Sequence, residues 1–158
     1  MTAWSIRPIR TGDAPAILGL ARTLDDWFNE EGLETMARDL KTHGGFVASR
    51  AETVIGFITW HPASPEVADL SWMGVARSEQ RGGIGKALLG AVVADLRRLG
   101  CARLEVSTVA DSVDYAPYVA TRRFYRSMGF ADHRIDPLYW GSGDDRYDRL
   151  VMALEIRA

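Results

Sequence analysis

Hydrophobic and polar residues follow each other along the chain in patterns that predict strands and helices in a definite order. Alternation with a period of two predicts strands over 4–10, 46–50, 53–61, 67–75, 101–107, 130–135 and 150–156. Apolar residues three and four apart predict one helix containing Ile17 and Leu24, and further helices over 33–42, 83–99 and 119–128. Residues 136–149 are predicted to form a long loop. The order β-α-α-β-β-β-α-β-α-β-β is typical of an α/β (α+β) protein with a mixed sheet.

Length, charge and cysteine content restrict the function classes. The 158 residues are expected to form a single domain over 1–158. A net charge of −2 gives no reason to expect a nucleic acid or an acidic membrane as partner. The first residues lack a signal-peptide pattern and the chain lacks a long apolar run, so a cytoplasmic protein is expected. Cys101 is the only cysteine, and His43, His61 and His133 are widely spaced, so no metal site is expected and the histidines are expected to be structural or exposed.

A glycine-rich turn joins the predicted strand over 67–75 to the predicted helix over 83–99. Its glycines are Gly82, Gly83 and Gly85. Because glycine has no Cβ, the backbone can bend tightly there and approach a ligand closely. The helix start leaves N–H groups without internal partners and carries partial positive charge, which suits a phosphate or pyrophosphate. Positive charge is added by Arg77, Arg81 and Lys86. The sequence therefore predicts an anion-binding loop.

The spacing in this loop excludes two common phosphate-binding motifs. A mononucleotide P-loop needs Ser or Thr after Gly85-Lys86, but Ala87 follows. The dinucleotide fingerprint needs a third glycine where Leu88 stands. The pattern Gln80-x-x-Gly83-x-Gly85 instead resembles the acyl-coenzyme A loop of the GNAT superfamily of N-acetyltransferases, which is Arg/Gln-x-x-Gly-x-Gly/Ala. The alternative is a turn that only caps the helix.

A second segment resembles the same superfamily. Phe124-Tyr125-Arg126-Ser127-Met128-Gly129-Phe130 is similar to the GNAT segment Phe/Leu-Tyr-x-x-x-Gly-Phe, which follows the fifth strand. The element order also agrees, so the resemblance covers essentially the whole chain. It implies the GNAT fold, a central mixed and mostly antiparallel sheet flanked by helices. It also implies transfer of an acetyl group from acetyl-CoA to a primary amine by direct transfer in a ternary complex.

The resemblance implies how acetyl-CoA would be held as cosubstrate. Backbone N–H groups of the loop would bind the pyrophosphate, and the end of the preceding strand would pair with the pantetheine arm. Tyr118 stands close to the position where many members carry Asn. Arg122 and Arg123 would reach the 3′-phosphate, or would be exposed helix charges. The expected cofactor-binding residues are Met73, Gly74, Val75, Gln80, Arg81, Gly82, Gly83, Ile84, Gly85, Lys86, Tyr118, Arg122 and Tyr125.

Acetyl transfer to an amine requires a base, a donor for the oxyanion and an acid for the leaving thiolate. The resemblance implies that Tyr125 lies near the thioester sulfur and protonates the thiolate; the alternative is a tyrosine packed in the core. The backbone N–H groups near Met73 are candidates for the oxyanion donor.

Asp69 is the first candidate for the base. It stands six residues before Val75, where several GNAT members place a Glu, and the two-residue period puts Asp69, Ser71, Met73 and Val75 on one face of the strand. Glu66 is the rival candidate. Proton loss to a water chain without a dedicated base is the third option.

Aromatic and acidic residues cluster in the segments expected to form the acceptor site. The aromatic residues expected to bind the acceptor are Trp27, Phe28, Tyr115, Tyr139 and Trp140. The acidic residues nearby in sequence are Asp25, Asp26, Glu30, Glu31 and Asp111. Acids and aromatic faces together suit a cationic amine, either a small molecule or a peptide. The alternative is a set of solvated acids and of aromatics that act as lids or as a homodimer interface. A non-catalytic domain that binds CoA as a sensor, and a transferase of another acyl group, also remain open.

Overall fold

The computed structural model describes residues 3–156, which form one seven-stranded sheet with helices on both faces. The strands are β1 (Trp4–Pro8), β2 (Gly44–Arg50), β3 (Thr53–Pro62), β4 (Val67–Val75), β5 (Arg103–Val109), β6 (Ala131–Ser142) and β7 (Asp145–Glu155). The helices are α1 (Ala14–Thr23), α2 (Glu30–Asp39), α3 (Ile84–Arg98) and α4 (Ala116–Ser127). The predicted element order and the mixed, mostly antiparallel sheet are confirmed.

The order of strands in the sheet creates a gap near its centre. The strands lie in the order β1-β2-β3-β4-β5-β7-β6, and only β4 and β5 run parallel to each other. Their pairing joins 67–70 to 103–106 and does not extend further. Beyond Leu70 the two strands separate, so residues 71–75 of β4 have no strand partner on the β5 side.

The helices divide between the two faces of the sheet according to their apolar stripes. The inward positions of α3 predicted from its 3.6-residue period, including Leu88 and Val92, are buried in a core that also contains Tyr125 of α4. On the other face, Ile17 of α1 and Met36 of α2 pack against Phe57 of β3. We call these the α3/α4 face and the α1/α2 face. The two faces of β4 therefore meet different environments.

Two predicted boundaries near the C-terminal half are wrong. Residues 136–149 are not a long loop but belong to the antiparallel hairpin of β6 and β7. β6 is the edge strand and is mostly exposed, so it lacks the apolar-polar alternation that marks a half-buried strand. Pro137 lies where the register between Asp136 and Trp140 is irregular, and a proline is tolerated at such an edge. Helix α4 also begins at Ala116, with Pro117 in its first turn, rather than at Val119.

Two further findings concern the described part of the chain as a whole. None of its helices combines the length and the apolar character needed to cross a membrane. Within residues 3–156, His, Cys, Asp and Glu side chains form no group of three or more that could hold a metal ion.

Candidate active site

A β-bulge interrupts β4 at Ser71. Trp72 pairs with Thr59 of β3, but the next pair along the strands joins Leu70 to Trp60, so Ser71 has no partner of its own. An extra residue of this kind puts two consecutive side chains on the same face of the sheet. The hydroxyl of Ser71 bonds that of Thr59 at 2.6 Å, and the Trp72 indole donates to Asp39 of α2 at 2.8 Å.

The bulge reverses which side chains share a face on either side of it. Ala68 and Leu70 belong to the core of the α3/α4 face, so Asp69 between them points to the α1/α2 face. Beyond the bulge, Met73 and Val75 pack against the core of the α3/α4 face. The prediction that Asp69, Ser71, Met73 and Val75 share one face is therefore wrong, because the two-residue period does not continue across Ser71.

The unpaired edge of β4 presents backbone groups to the gap between β4 and β5. The N–H of Ala76 donates to the carbonyl of Ile55 on β3 at 2.9 Å. Because successive residues of a strand direct their backbone groups to opposite sides, the N–H and C=O groups of Val75 and Met73 point into the gap. The Val75 carbonyl accepts a hydrogen bond from the side-chain amide of Gln80 at 3.0 Å. This edge can hydrogen-bond an extended ligand in the manner of an added strand.

The predicted anion-binding loop leads into α3 with its backbone in the left-handed region. Arg81 has φ 71° and Gly83, the N-cap residue, has φ 83°. The first helical bond runs from the N–H of Ala87 to the carbonyl of Gly83, so the N–H groups of 84–86 have no partner within the helix. Arg81 and Lys86 are exposed beside them. The arrangement suits an anion at the start of a 15-residue helix.

Arg77 does not add its charge to this loop. Its guanidinium donates to the carboxylates of Asp26 at 2.8 Å and Asp25 at 3.0 Å, and lies 5.5 Å from the centre of the Trp27 ring. Its Nε also donates to the carbonyl of Thr23. Arg77 therefore fastens the connection between α1 and α2 to the end of β4. It also neutralises two of the acids that were expected near a cationic acceptor.

Arg122 is buried, contrary to the expectation that it reaches CoA or solvent. Only 3% of the residue is exposed, and its guanidinium donates to the carbonyls of Val109, Ala110 and Val113. Its side chain therefore holds the connection between β5 and α4 in place. The expectation of a phosphate contact is not supported by this geometry, whereas Arg123, the next residue, is exposed.

Tyr125 lies in the core of the α3/α4 face, next to the free edge of β4. Its hydroxyl is 3.9 Å from Sδ of Met73, and its ring makes edge contacts with Phe124 and Phe130, each with centroids 5.4 Å apart. Burial raises the pKa of the Tyr125 phenol well above its usual range, so the group stays protonated and can donate a hydrogen bond. A Cβ on Gly85 would lie 3.2 Å from the Phe124 ring, which shows how closely the loop approaches α4.

Asp69 sits on the α1/α2 face, where β4 and β5 begin to separate. Its side chain is one-third exposed, and burial raises the pKa of its carboxyl above the usual value. Glu105, directly opposite on β5, raises that pKa further, whereas His61 on β3 and Arg149 on β7 lower it. Glu105 was not identified from the sequence, although its polar side chain between buried Leu104 and Val106 places it on this face. Glu66, the rival base, is exposed and precedes β4.

Two of the three histidines lie beside Asp69, although they are 18 residues apart in sequence. The rings of His43 and His61 stack with centroids 4.3 Å apart. His43 Nδ1 is 2.8 Å from the Ser71 hydroxyl, and Nδ1 of His61 is 3.8 Å from the Asp69 carboxylate. Sequence spacing alone indicated no relationship between them.

Four of the five expected acceptor residues occupy two regions, and the fifth, Phe28, lies in the core. Trp27 donates to the carbonyl of Pro117 at 3.1 Å and Tyr115 to the carbonyl of Asp26 at 3.2 Å, which joins the α1–α2 connection to the start of α4. Phe28 instead packs against Phe57 and Trp72, in the core of the α1/α2 face.

The remaining two aromatic residues, Tyr139 and Trp140, lie on β6 of the hairpin. The guanidinium of Arg149 lies 3.6 Å from the centre of the exposed Tyr139 ring. Trp140 packs against Tyr139 and Tyr147. Tyr118 of α4 lies against Tyr115, with ring centroids 4.8 Å apart. Burial raises the pKa of its phenol, and Tyr147 and Tyr115 raise it further.

Comparison with known proteins identifies the family. The family model described as the acetyltransferase (GNAT) family matches residues 15–130, which is most of the chain. The chain belongs to the GNAT acetyltransferase family. No match was found among the curated proteins. As a member of this family, the protein is an acyltransferase.

Solved structures share the fold of this GNAT protein. A GNAT-family protein from Desulfovibrio desulfuricans has a TM-score of 0.85 and 24% identity, with 98% of this chain and 100% of that chain covered. The ribosomal-protein-S18-alanine N-acetyltransferase from Escherichia coli has a TM-score of 0.80 and 24% identity, with coverage of 99% and 96%. A GNAT-family acetyltransferase from Elizabethkingia anophelis with acetyl-CoA bound has a TM-score of 0.74 and 20% identity, with coverage of 96% and 97%.

The family match covers only part of the candidate site. Residues 15–130 include the loop at 80–86, Asp69 and Tyr125, but end before the β6–β7 hairpin. Tyr139 and Trp140 therefore lie outside the part that this GNAT protein shares with the family model.

Proposed function

We propose that the protein transfers an acetyl group from acetyl-CoA to a primary amine, by direct transfer within a ternary complex. One observation carries the proposal. The free edge of β4 runs from an anion-binding helix start past the Tyr125 hydroxyl to the point where Asp69 faces the opposite side of the sheet. The helix start can bind the diphosphate, the Tyr125 hydroxyl can contact the thioester, and Asp69 can contact the amine. The three groups follow each other along β4 in that order.

The glycine-rich loop holds the diphosphate of acetyl-CoA in this proposal. Unpartnered N–H groups of 84–86 supply donors, and the helix start adds partial positive charge. Arg81 and Lys86 supply full charges from the surface. Binding of acetyl-CoA by the similar protein from Elizabethkingia anophelis supports the choice of cosubstrate.

The pantetheine arm lies along residues 73–75 of β4 as an added strand. In the structure the Val75 carbonyl accepts a hydrogen bond from the Gln80 side chain. When the arm is bound, an amide N–H of the arm replaces Gln80 as the donor. Gly74 keeps this edge tight against α1, since a Cβ there would lie 2.9 Å from both Leu24 and Phe57. The thioester is thereby brought to the gap between β4 and β5.

The two proton-handling groups, Asp69 and Tyr125, lie on opposite faces of the sheet, and the bulge at Ser71 turns Met73 toward Tyr125. Asp69 takes a proton from the acceptor ammonium on the α1/α2 face, and a backbone N–H near Met73 stabilises the oxyanion. Tyr125 gives its proton to the departing sulfur on the α3/α4 face; the new amide nitrogen releases its second proton to solvent, and the Tyr125 phenolate takes up a proton from solvent. The amine attacks from one side of the gap and the thiolate leaves on the other. Asp69 is preferred to Glu66 because it is partly buried at this gap, whereas Glu66 is exposed and precedes β4.

The position of Cys101 supports direct transfer rather than an acyl-enzyme. It is the only cysteine in the chain, and its thiol donates to the carbonyl of Glu66 at 3.1 Å. Glu105, the partner of Asp69 across the strands, is four residues further along the chain, which amounts to about 13 Å of extended backbone. A thiol intermediate at Cys101 is therefore too far from the gap.

The acceptor is an amine carried by a small molecule or a peptide. Because Arg77 pairs with Asp25 and Asp26, recognition of the amine rests on Asp69 and on Tyr139. The Tyr139 ring contacts Arg149, which also acts on Asp69. The Escherichia coli structure is that of an enzyme named for ribosomal protein S18 alanine, so peptides with N-terminal alanine belong in a test panel.

Release of free CoA thiol tests the proposal. Purified protein is mixed with acetyl-CoA and a panel of alanine-terminated peptides, polyamines, aminoglycosides and aromatic amines. We expect release with at least one amine, and initial rates that give intersecting double-reciprocal lines. CoA binding without turnover on the whole panel would favour a sensor. Turnover with only longer acyl-CoA donors would favour another acyl group.

A further inference from the structure

The stacked pair of His43 and His61 has no role in the proposed reaction. Both rings lie on the α1/α2 face, and His61 pairs in register with Asp69 across β3 and β4. Nδ1 of His61 is buried and has no hydrogen-bond partner among the described residues, and it lies 3.8 Å from Oδ2 of Asp69. This nitrogen is thus within ion-pair distance of the proposed base.

His43 holds the His61 ring in place by stacking on it. Its Nδ1 is 2.8 Å from the Ser71 hydroxyl, which in turn bonds Thr59, and its Nε2 is 3.7 Å from Asp39 of α2. Ser71 faces His43 because it lies on the α1/α2 face, as Asp69 does two residues earlier. The stacked contact, with an angle of 23° between the rings, leaves His61 little freedom to rotate away from Asp69.

We propose that His61 takes the acceptor's proton from Asp69 and passes it to solvent, with His43 holding the His61 ring in position. This inference rests on the proposed function, in which Asp69 is the base. His61 acts on the reaction only through Asp69, and it is therefore a positioning and proton-accepting residue rather than one that touches the substrate.

The proton balance has three steps. The acceptor ammonium loses a proton to the Asp69 carboxylate, which becomes a carboxylic acid. The acid O–H proton moves to Nδ1 of His61, which restores the carboxylate and forms an imidazolium. The His61 side chain is 37% exposed, so the imidazolium releases a proton to water and regains its starting form by exchange with solvent. The 3.8 Å separation closes by a small side-chain rotation, as unliganded sites often require.

The charges that face this pair determine its pH dependence. Glu105 of β5 and Arg149 of β7 act on Asp69 with opposite signs, and Asp39 of α2 faces His43. When His61 carries a charge, it lowers the pKa of Asp69. Loss of His61 would therefore raise the pKa of Asp69.

The test compares wild-type protein with H61Q and with H133Q as the matched control, since His133 is exposed on β6. We expect kcat of H61Q to fall about tenfold in dilute buffer, less than the 10²–10⁴ typical of a primary base. Added imidazole should restore most of that rate. H133Q should match wild type. H61N is the second variant if H61Q lowers the melting temperature.

A second readout does not depend on turnover. Titration of the Asp69 carboxyl by carbon NMR should give a higher pKa in H61Q than in wild type. An active wild type with an unchanged rate in H61Q, or a lost rate that imidazole does not restore, would overturn the relay alone. A wild type that releases no thiol would overturn the proposed function and the relay with it, and the NMR titration would still report whether Asp69 and His61 are paired.

Discussion

The hydroxyl of Tyr125 on α4 lies 3.9 Å from the sulfur of Met73 on β4. This contact joins the core helix that follows β5 to the free edge of β4, across the gap that opens beyond Leu70. A donor that burial keeps protonated therefore faces the place where an extended thioester would end. Asp69 lies on the opposite face of β4, two residues before the bulge at Ser71. The bulge turns Met73 toward Tyr125.

Replacement of Tyr125 by phenylalanine should lower kcat about 10²-fold and leave CoA affinity unchanged. The ring contacts with Phe124 and Phe130 persist in the variant, so its stability should stay close to wild type. Stopped-flow thiol release and calorimetric CoA titration separate the two effects. Tyr147→Phe is the control, because it also removes one phenol hydroxyl and Tyr147, on β7, has no role in the proposed reaction. An unchanged kcat in Tyr125→Phe would remove the donor role.

Replacement of Glu105 by glutamine should extend activity to lower pH. Glu105 raises the pKa of Asp69, so its loss lowers that pKa, and Asp69 stays ionised as the pH falls. Because burial is the larger cause and remains, the acid limb of kcat/KM should move by less than about one pH unit. Glu66→Gln is the matched control and should leave the profile unaltered. Loss of activity in Glu66→Gln, with Asp69→Asn still active, would transfer the base role to Glu66.

Replacement of Gly83 by alanine should weaken CoA binding about fivefold with little effect on kcat. Gly83 has φ 83°, and this conformation costs a non-glycine residue about 1–2 kcal/mol, although no neighbouring atom would obstruct the Cβ. Gly90→Ala is the control, since Gly90 lies inside α3 with open space around it and should gain up to about 1 kcal/mol of stability. Equal CoA affinity in the two variants would argue against diphosphate binding at this helix start.

Replacement of Arg122 by glutamine should lower the free energy of unfolding by about 3 kcal/mol. The buried carbonyls of Val109 and Ala110 would lose their charged donor, and the β5–α4 connection would loosen. Urea denaturation measures the loss. Arg123→Gln, one residue further along α4 and exposed, should stay within about 0.5 kcal/mol of wild type. If the two variants were equally stable, Arg122 would not hold the connection.

Much of the fold could be predicted because apolar residues recur in the sequence with the period of a helix or of a strand. The inward positions of α3, the limits of β4 and the glycine turn before α3 all follow from local patterns. The β6–β7 hairpin could not be predicted in this way. Its exposed edge strand contains Pro137 and several charges, and it lacks the apolar-polar alternation on which the prediction depends. Arg122 was misjudged because helix periodicity does not show that buried carbonyls need a donor at that position.

The site was predicted in part for the same reason. The loop at 80–86 and Tyr125 could be found because motifs are local, but the pairing of His61 with Asp69 and the stacking of His43 on His61 depend on strand register. The division of β4 into two faces depends on one unpaired residue, Ser71, which leaves no signal in a two-residue pattern. Partners that meet only through tertiary structure become visible only in the fold.

A crystal structure with CoA and an acceptor amine would test the central claim most directly. We expect the diphosphate on the N–H groups at 84–86, the pantetheine arm along β4, and the sulfur within hydrogen-bonding reach of the Tyr125 hydroxyl. We also expect the amine on the α1/α2 face, next to Asp69. A diphosphate bound away from this loop, or a sulfur on the same face of the sheet as Asp69 and distant from Tyr125, would contradict this claim.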